Sequence, residues 1–134
     1  MLWYSVPGFT SIECNEQGDI RSTSTCKLRK QQLKTGKPGQ SCRRWIDVRE
    51  PGKPRKKPYS ARLILSAKLG RELHPWEDAC HINGDAGDNR MCNLEAKCRL
   101  NNIIDEIESG RIQTTPEQID KAIARLMAIK EKIQ

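Results

Sequence analysis

Aromatic residues are scarce in this chain of 134 residues, which has three Trp, two Tyr and one Phe. So few large rings exclude a single large apolar core and favour one small domain, or two small modules that share a core. No apolar run approaches the length of a membrane helix, and the start Met-Leu-Trp-Tyr-Ser lacks the basic and then apolar pattern of an export signal. We therefore expect a cytoplasmic protein with no membrane partner.

Paired cysteine motifs are also absent. The chain has six cysteines and two histidines, but no two cysteines are separated by only two residues. This spacing excludes zinc ribbons and zinc fingers, and reduced thiols are the expectation for a cytosolic chain. The alternative is a zinc site built from Cys92, Cys98 and more distant cysteines.

Acidic residues are rare in one long stretch of the chain. Between Cys26 and Lys68 there are fourteen Lys and Arg and two acids, Asp47 and Glu50. This basic segment therefore has a net charge of +12 and the rest of the chain has −5, which together give the total of +7. Such a block predicts binding to a phosphate backbone. A solvated basic face or a flexible tail is the alternative, but apolar residues interspersed among the charges favour a folded basic surface.

The first half of the chain shows the patterns of short strands. Ile12-Glu13-Cys14 and Ile20-Arg21-Ser22 flank a turn cluster at residues 15–19, which predicts a hairpin. Residues 44–49 alternate large apolar and charged side chains, as a half-buried strand does.

Helical signals dominate the second half. Ser60 as N-cap and Gly70 as the residue after the C-terminus predict one helix. Residues 71–94 lack a period and are predicted to be irregular, and residues 99–109 carry an apolar face that predicts a second helix ended by Gly110.

The end of the chain carries a capping box. Thr115 is the predicted N-cap, Pro116 the first helical residue and Gln118 the partner three residues after the cap. Apolar residues then recur at helical spacing up to Ile133. We expect this stripe to be a packing or dimerisation face, so a homodimer through the C-terminal helix is a possible assembly.

One polar stretch, residues 78–94, carries an ordered series of short motifs. In this stretch and just after it the chain contains Cys80-His81, Gly84-Asp85, Asp88-Asn89, Asn93-Leu94, Asn101-Asn102 and Asp105. The series resembles the HNH endonuclease family, and in particular its phage and homing-endonuclease branch. Residues 6–9, 12–15 and 18–22 resemble the modular DNA-binding segment often fused ahead of such nucleases, and residues 59–65 resemble the helix before the catalytic motif.

The resemblance implies an α+β fold with a small β-rich N-terminal module, a ββα-metal core and a C-terminal helix. The corresponding predicted divisions are residues 1–52, 53–111 and 112–134. It also implies a metal-dependent DNA endonuclease of phage or mobile-element type, which nicks or cuts double-stranded DNA in the host cytoplasm if phage-encoded. The alternative is a DNA-binding or host-interfering protein whose nuclease core is inactive.

Residue roles follow from the matched positions. The resemblance implies that His81 is the general base for phosphodiester hydrolysis, a task that suits an imidazole, and that Asn89 and Asn93 complete the catalytic loop. Asn102 and Cys80 are the implied metal ligands, for one divalent ion that is Mg²⁺ or Mn²⁺ first and Zn²⁺ second.

Three positions depart from the family pattern. Cys80 and Asn83 stand where Asp is common in the family, and Asp88 stands where Asn is common. A thiolate is a soft ligand and a poor partner for Mg²⁺.

The basic segment supplies the predicted DNA contacts. The predicted DNA-binding residues are Arg43, Arg44, Lys53, Arg55, Lys56, Lys57 and Arg62.

Overall fold

The computed structural model describes residues 1–34 and 43–133, and it confirms the predicted α+β class. Its strands are β1 (Trp3–Ser5), β2 (Ile12–Asn15), β3 (Ile20–Ser22), β4 (Gln32–Lys34), β5 (Arg43–Trp45), β6 (Glu77–His81) and β7 (Leu94–Cys98). Its helices are α1 (Ser60–Leu69), α2 (Arg99–Glu108) and α3 (Pro116–Ile133), with one turn of 3₁₀ helix at Met91–Asn93. Among the described helices, none is both long and apolar enough to cross a membrane.

The chain forms two compact units, Met1–Cys98 and Arg99–Gln134. The first unit holds three antiparallel sheets, in the orders β1-β2-β3, β4-β5 and β6-β7. Its core joins Val6, just after β1, and Ile12 and Ile20 of β2 and β3 with Ile64 of α1 and Leu94 of β7, all at most 1% exposed. The second unit contains α2 and α3. The three-part division at residues 52 and 111 stays a prediction.

The N-terminal hairpin is confirmed. Strand β2 pairs with β3, and Ile12 and Ile20 point into the core. Glu13 and Arg21, which lie opposite each other in this pair of strands, form an ion pair of 2.6 Å. This alternation is what buries one face of a short strand pair. The turn signal at residues 15–19 therefore identified the correct connection.

The predicted strand over residues 44–49 is shorter than expected. Strand β5 ends at Trp45, and Ile46 and Val48 then bond to the backbone of Pro58 and Lys56 instead of to β4. Prolines at 54 and 58 lack the N–H that a longer ladder needs, so only isolated bridges form there.

Helix α1 begins at Ser60, the predicted cap residue, and therefore one residue earlier than expected. Tyr59 is the N-cap residue, with extended backbone, because it pairs with Trp45 in a β-bridge. Ser60 is instead the first helical residue, fully buried, and its hydroxyl has no hydrogen-bond partner among the described residues. Gly70 ends the helix as predicted, with a φ of 73°.

Both helices of the second unit match their sequence signals. In the capping box of α3, the Gln118 N–H donates to Thr115 Oγ1 and the Thr115 N–H donates to Gln118 Oε1, each at 3.3 Å. Apolar residues on α3 stay exposed, among them Ile123 at 48% and Met127 at 61%. The predicted dimerisation through this helix stays a prediction.

No disulfide links Cys14, Cys26, Cys80, Cys92 and Cys98, the five cysteines among the described residues. Cys14 is completely buried, and burial raises the pKa of its thiol to about 12. The expectation of a reduced thiol at Cys42 lies outside the described residues.

Glu50 is a buried carboxylate that links the basic segment to the loop between β1 and β2. It accepts four hydrogen bonds of 2.6–3.0 Å, from the backbone N–H and the hydroxyl of both Ser11 and Thr10. These bonds, with the Ser11 hydroxyl as the largest cause, lower the pKa of Glu50 from 4.5 to about 2. Because the folded-state pKa is the lower one, the stabilisation is complete above about pH 4.5 and is lost as the pH falls towards 2.

We expect Glu50→Gln to lower the free energy of unfolding at pH 7 by about 1–3 kcal/mol, the cost of removing hydrogen bonds to a charged group. Urea unfolding at pH 7 and at successive values down to 2.5 measures this difference. The gap between wild type and variant should narrow as the pH falls below about 4.5. Glu131→Gln on the exposed face of α3 is the control, and a gap that is constant over this range would contradict the prediction.

Candidate active site

His81 ends strand β6, where the β6–β7 hairpin meets its connecting loop. It lies opposite Leu94, which is completely buried and anchors the start of β7. The Ile82 N–H then donates to the Asn93 carbonyl at 2.8 Å, which closes the ladder directly beside His81. The hairpin therefore presents the imidazole from a rigid strand end.

The His81 ring is held by Asn89, eight residues further along the loop. His81 Nε2 lies 2.7 Å from Asn89 Oδ1, and Asn89 is only 5% exposed while His81 is half-buried. An amide oxygen only accepts, so Nε2 carries the proton in the neutral ring and Nδ1 is the nitrogen that can take up another. The arrangement can support general-base chemistry at Nδ1.

Asn93 holds the loop to the hairpin through its side-chain amide. Its Oδ1 accepts from the Asn83 N–H at 3.0 Å, and its Nδ2 donates to Asn83 Oδ1 at 3.0 Å and to the Asp88 carbonyl at 2.9 Å. Because Asn93 is 6% exposed, these three bonds satisfy a buried amide and tie both ends of the loop to one point.

Two of the departures from the family pattern contact each other. Asn83 Nδ2 donates to Asp88 Oδ2 at 2.9 Å. Asp88 also accepts two hydrogen bonds from the Arg90 guanidinium, at 2.8 and 2.9 Å, and the Arg90 side chain holds the pKa of the Asp88 carboxyl well below its usual range. Asp88 is therefore a charged structural residue of the loop.

The described residues contain no cluster of three side chains of the types that most often bind metal ions. Among residues 1–34 and 43–133, no three His, Cys, Asp or Glu side chains lie close enough together to hold an ion. This result gives no support there to the zinc alternative based on Cys92 and Cys98. Cys80 is half-buried on β6 of the first unit and Asn102 lies on α2 of the second, so their joint ligation of one ion stays a prediction.

The two predicted metal ligands, Cys80 and Asn102, differ in the ions that their donor atoms prefer. Mg²⁺ commonly keeps several waters and is held by one or two protein ligands together with phosphate oxygens. Thiolate sulfur prefers softer ions such as Zn²⁺. The Asn102 amide oxygen therefore suits a partly solvated hard ion, whereas the Cys80 sulfur suits a softer one.

Two predicted DNA-binding residues lie on β5, and one of them contacts the loop that follows His81. Arg44 Nε donates to the Gly87 carbonyl at 3.4 Å, two residues before Asn89. The Arg43 guanidinium lies 5.6 Å from the centre of the Tyr59 ring, within cation–π range. The structure therefore brings part of the basic segment beside the loop that holds His81.

The remaining predicted contacts divide into exposed cations and one half-buried arginine, Arg62. Lys53, Lys56 and Lys57 are exposed, and Arg55 forms a long, exposed ion pair of 3.3 Å with Asp47. Arg62 differs from these four residues because its side chain is half-buried.

The Arg62 guanidinium bonds to the backbone of the segment that leads into β6. It donates to the Glu77 carbonyl at 2.6 Å and to the His74 carbonyl at 3.2 Å. These bonds give Arg62 a structural role between α1 and β6, and its predicted DNA contact stays a prediction.

Three residues with contacts in the site or in the basic segment were not among the predicted site residues. Arg90 carries a weak signal, since it lies two residues after Asp88. Lys34, whose Nζ donates to the Tyr59 hydroxyl at 3.1 Å and thereby lowers the pKa of Tyr59, carries no motif at all. Gly18 lies in the N-terminal hairpin, and a Cβ on it would stand 2.8 Å from the Asn89 carbonyl oxygen.

No family model and no curated protein matches the chain. Among solved structures, the fold is similar to that of the HNH homing endonuclease I-HmuI, in a structure that describes DNA binding and cleavage by that protein. The TM-score is 0.66 at 18% sequence identity, and the match covers 93% of this chain and 68% of the other. This likeness establishes the fold that was expected from the motif series.

Proposed function

We propose that the chain is a DNA endonuclease that hydrolyses phosphodiester bonds with His81 as general base. The observation that carries the proposal is the 2.7 Å bond between His81 Nε2 and the buried Asn89 Oδ1. It orients a half-buried imidazole at a strand end, in a fold similar to that of a protein that binds and cleaves DNA. A catalytic base needs this kind of fixed orientation.

In the proposed reaction, His81 Nδ1 removes a proton from the water that attacks phosphorus. The imidazolium that forms keeps its Nε2–H bond to Asn89 Oδ1, so the acceptor stabilises the ring as its charge increases. Asn93 acts by holding the loop that carries Asn89, through its bonds to Asn83 and to the Asp88 carbonyl. When bound, a divalent ion supplies positive charge for the phosphate and the leaving oxygen.

The metal is part of the proposal. We propose one divalent ion with Cys80 and Asn102 among its ligands, Mg²⁺ or Mn²⁺ first and Zn²⁺ second.

Double-stranded DNA is the proposed substrate. Exposed lysines at 53, 56 and 57 and the arginines of β5 supply positive charge, and Arg44 extends from that charge to the catalytic loop. A phage or mobile-element role in a host cytoplasm, and a homodimer through α3, belong to the same proposal.

A plasmid-cleavage assay tests the proposed function directly. Supercoiled plasmid is incubated with the protein and with Mg²⁺, Mn²⁺ or Zn²⁺ in turn, and with a chelator as the blank. We expect nicked or linear plasmid with at least one ion and none with the chelator. Intact supercoiled plasmid under every condition would contradict the proposal.

Cys80→Asp should raise Mg²⁺-supported cleavage relative to wild type, because it replaces a soft sulfur ligand with a hard carboxylate. The rate with Mg²⁺ is divided by the rate with Zn²⁺ for each protein, and this ratio should increase in the variant. Cys98→Asp is the matched control, because it makes the same chemical change on the same hairpin, at an exposed position of β7. A similar increase in both variants, or in neither, would argue against Cys80 as a metal ligand.

A second candidate function is DNA binding by a protein whose nuclease core is inactive. The observation that favours it is the lack of a cluster of three metal-ligating side chains in the described parts of the chain. It predicts salt-sensitive DNA binding without cleavage, in wild type and in Cys80→Asp alike. The plasmid assay separates the two candidates.

A further inference from the structure

The N-terminal hairpin turn at residues 15–19 is braced from inside. The Asn15 side chain is completely buried, and its Oδ1 accepts the N–H groups of Gln17 and Asp19, each at 3.0 Å. The Gly18 N–H donates to the Asn15 carbonyl at 3.2 Å, and Gly18 has a φ of 89° that side chains rarely adopt. The turn is therefore rigid and shaped by a buried amide.

The same turn packs against the loop that orients His81. The Glu16 carbonyl accepts the Met91 N–H at 2.9 Å, and Gly18 itself is buried. A Cβ on Gly18 would stand 2.8 Å from the Asn89 carbonyl oxygen and 3.0 Å from its carbon. Only glycine permits this approach of two backbones without displacing one of them.

Asn89 depends on its backbone for its position. Its Oδ1 is committed to His81, and its Nδ2 is buried without a hydrogen-bond partner among the described residues. The Asn89 side chain is thus held by the bond to His81, and the placement of the loop backbone decides where the amide oxygen lies. The two contacts from the turn, one at Asn89 itself and one two residues later at Met91, fix that backbone.

We propose that Gly18 is a positioning residue for the candidate active site, acting through Asn89 on the orientation of His81. The hairpin turn that resembles part of a DNA-binding module would then also set the catalytic geometry. The effect on cleavage rests on the proposed function, whereas the effect on the His81 ring does not.

Gly18→Ala tests the proposal, with Gly70→Ala as the matched control. Both glycines have positive φ, 89° and 73°, so both variants incur the backbone strain of a left-handed alanine. Only Gly18 has neighbours where the Cβ would stand, since nothing lies within 4 Å of that point at Gly70. Gly18→Asn and Gly70→Asn form a second pair, because Asn tolerates this conformation better and adds the same Cβ.

The first readout is the nitrogen NMR chemical shifts of the His81 ring at one fixed pH, assigned by their absence in His81→Ala. We expect Gly18→Ala to move the Nε2 and Nδ1 signals away from their wild-type values as the bond to Asn89 is disturbed, and Gly70→Ala to leave them in place. In an Asn89→Ala background, Gly18→Ala should cause no further movement, because its route to the ring has been removed.

The second readout is single-turnover cleavage beside DNA affinity. Gly18→Ala should lower the cleavage rate on the order of 10- to 100-fold, the effect of a displacement of about 1 Å in a catalytic group. DNA affinity should fall far less than the cleavage rate, because the cations of the basic segment are unchanged and the buried Gly18 offers no side chain to DNA. A merely structural role would lower both in proportion to the folded fraction.

Each outcome decides between the alternatives. Unchanged ring signals in a folded Gly18 variant, or equal changes in the Gly70 variant, would overturn the proposal. Failure of both Gly18 variants to fold would overturn it too, because the contact would then serve the fold as a whole. If the ring signals move as expected but the wild type never cleaves DNA, the coupling stands and the proposed function fails.

Discussion

His81→Ala is expected to abolish DNA cleavage while DNA affinity stays nearly unchanged. The imidazole is the proposed acceptor of the water proton, and loss of a general base typically lowers a rate on the order of 10²- to 10⁴-fold. Affinity depends on the cations of the basic segment, which the substitution leaves in place. Single-turnover cleavage of a labelled duplex and equilibrium binding of the same duplex measure the two effects.

The second histidine of the chain provides the control. His74 is exposed and stacks on Trp76, with ring centres 4.4 Å apart, so His74→Ala removes an imidazole outside the candidate site. Its cleavage rate should equal that of wild type. Asn89→Ala should give an intermediate rate, because the base is present but no longer oriented. Equal rates in wild type and His81→Ala would remove His81 from the mechanism.

Neutralising Arg55, Lys56 and Lys57 together, each to Gln, is expected to weaken DNA binding and to flatten its salt dependence. Each phosphate contact that is lost should reduce the slope of log K against log salt concentration by about 0.9, because fewer counterions are released. The cost in stability should be small: Lys56 and Lys57 are exposed, and the Arg55–Asp47 pair is an exposed one of 3.3 Å. Titrations at several salt concentrations measure the slope.

A variant with the same change in charge elsewhere makes this result specific. Lys121, Arg125 and Lys132 lie exposed on α3, outside the basic segment. Replacing these three by Gln alters the net charge by the same amount, so a general electrostatic effect would appear in both triple variants. An unchanged slope in the Arg55, Lys56 and Lys57 variant would mean that these residues do not face DNA.

Local signals determined the elements whose hydrogen bonds are local. The Thr115 capping box, the left-handed Gly70 and the hairpin turn at residues 15–19 all involve groups within about one turn of each other, and the structure has them as predicted. The motif series also identified the residue types of the candidate site, because its order along the chain matches a known family.

Strand β6 shows where local signals fail. Its sequence, Glu-Asp-Ala-Cys-His, has no apolar alternation, and the pattern alone indicated irregular structure. The strand forms because β7 pairs with all five of its residues and α1 packs against it. Pairing with residues 13 to 21 positions away in the chain, such as Asp78 with Lys97, is a tertiary property that a local pattern does not contain.

Positions 83 and 88 are a second place where a local pattern is insufficient. The chain has an amide and then an acid there, and the reverse is common in the family pattern. Taken one residue at a time, Asn83 and Asp88 are two departures from the family pattern. In the folded loop Asn83 Nδ2 donates to Asp88 Oδ2 at 2.9 Å, so the two departures form one contact. Only the loop conformation reveals that the two changes concern one interaction.

The sequence by itself determined the class of fold, the basic segment and the identity of the candidate base. The tertiary structure decided how those residues are used. It assigned the Arg62 charge to two backbone carbonyls near β6, and it placed Gly18 against Asn89, 71 positions away in the chain. Composition and spacing report charge and local geometry, whereas a contact between distant backbones depends on how the core brings separate elements together.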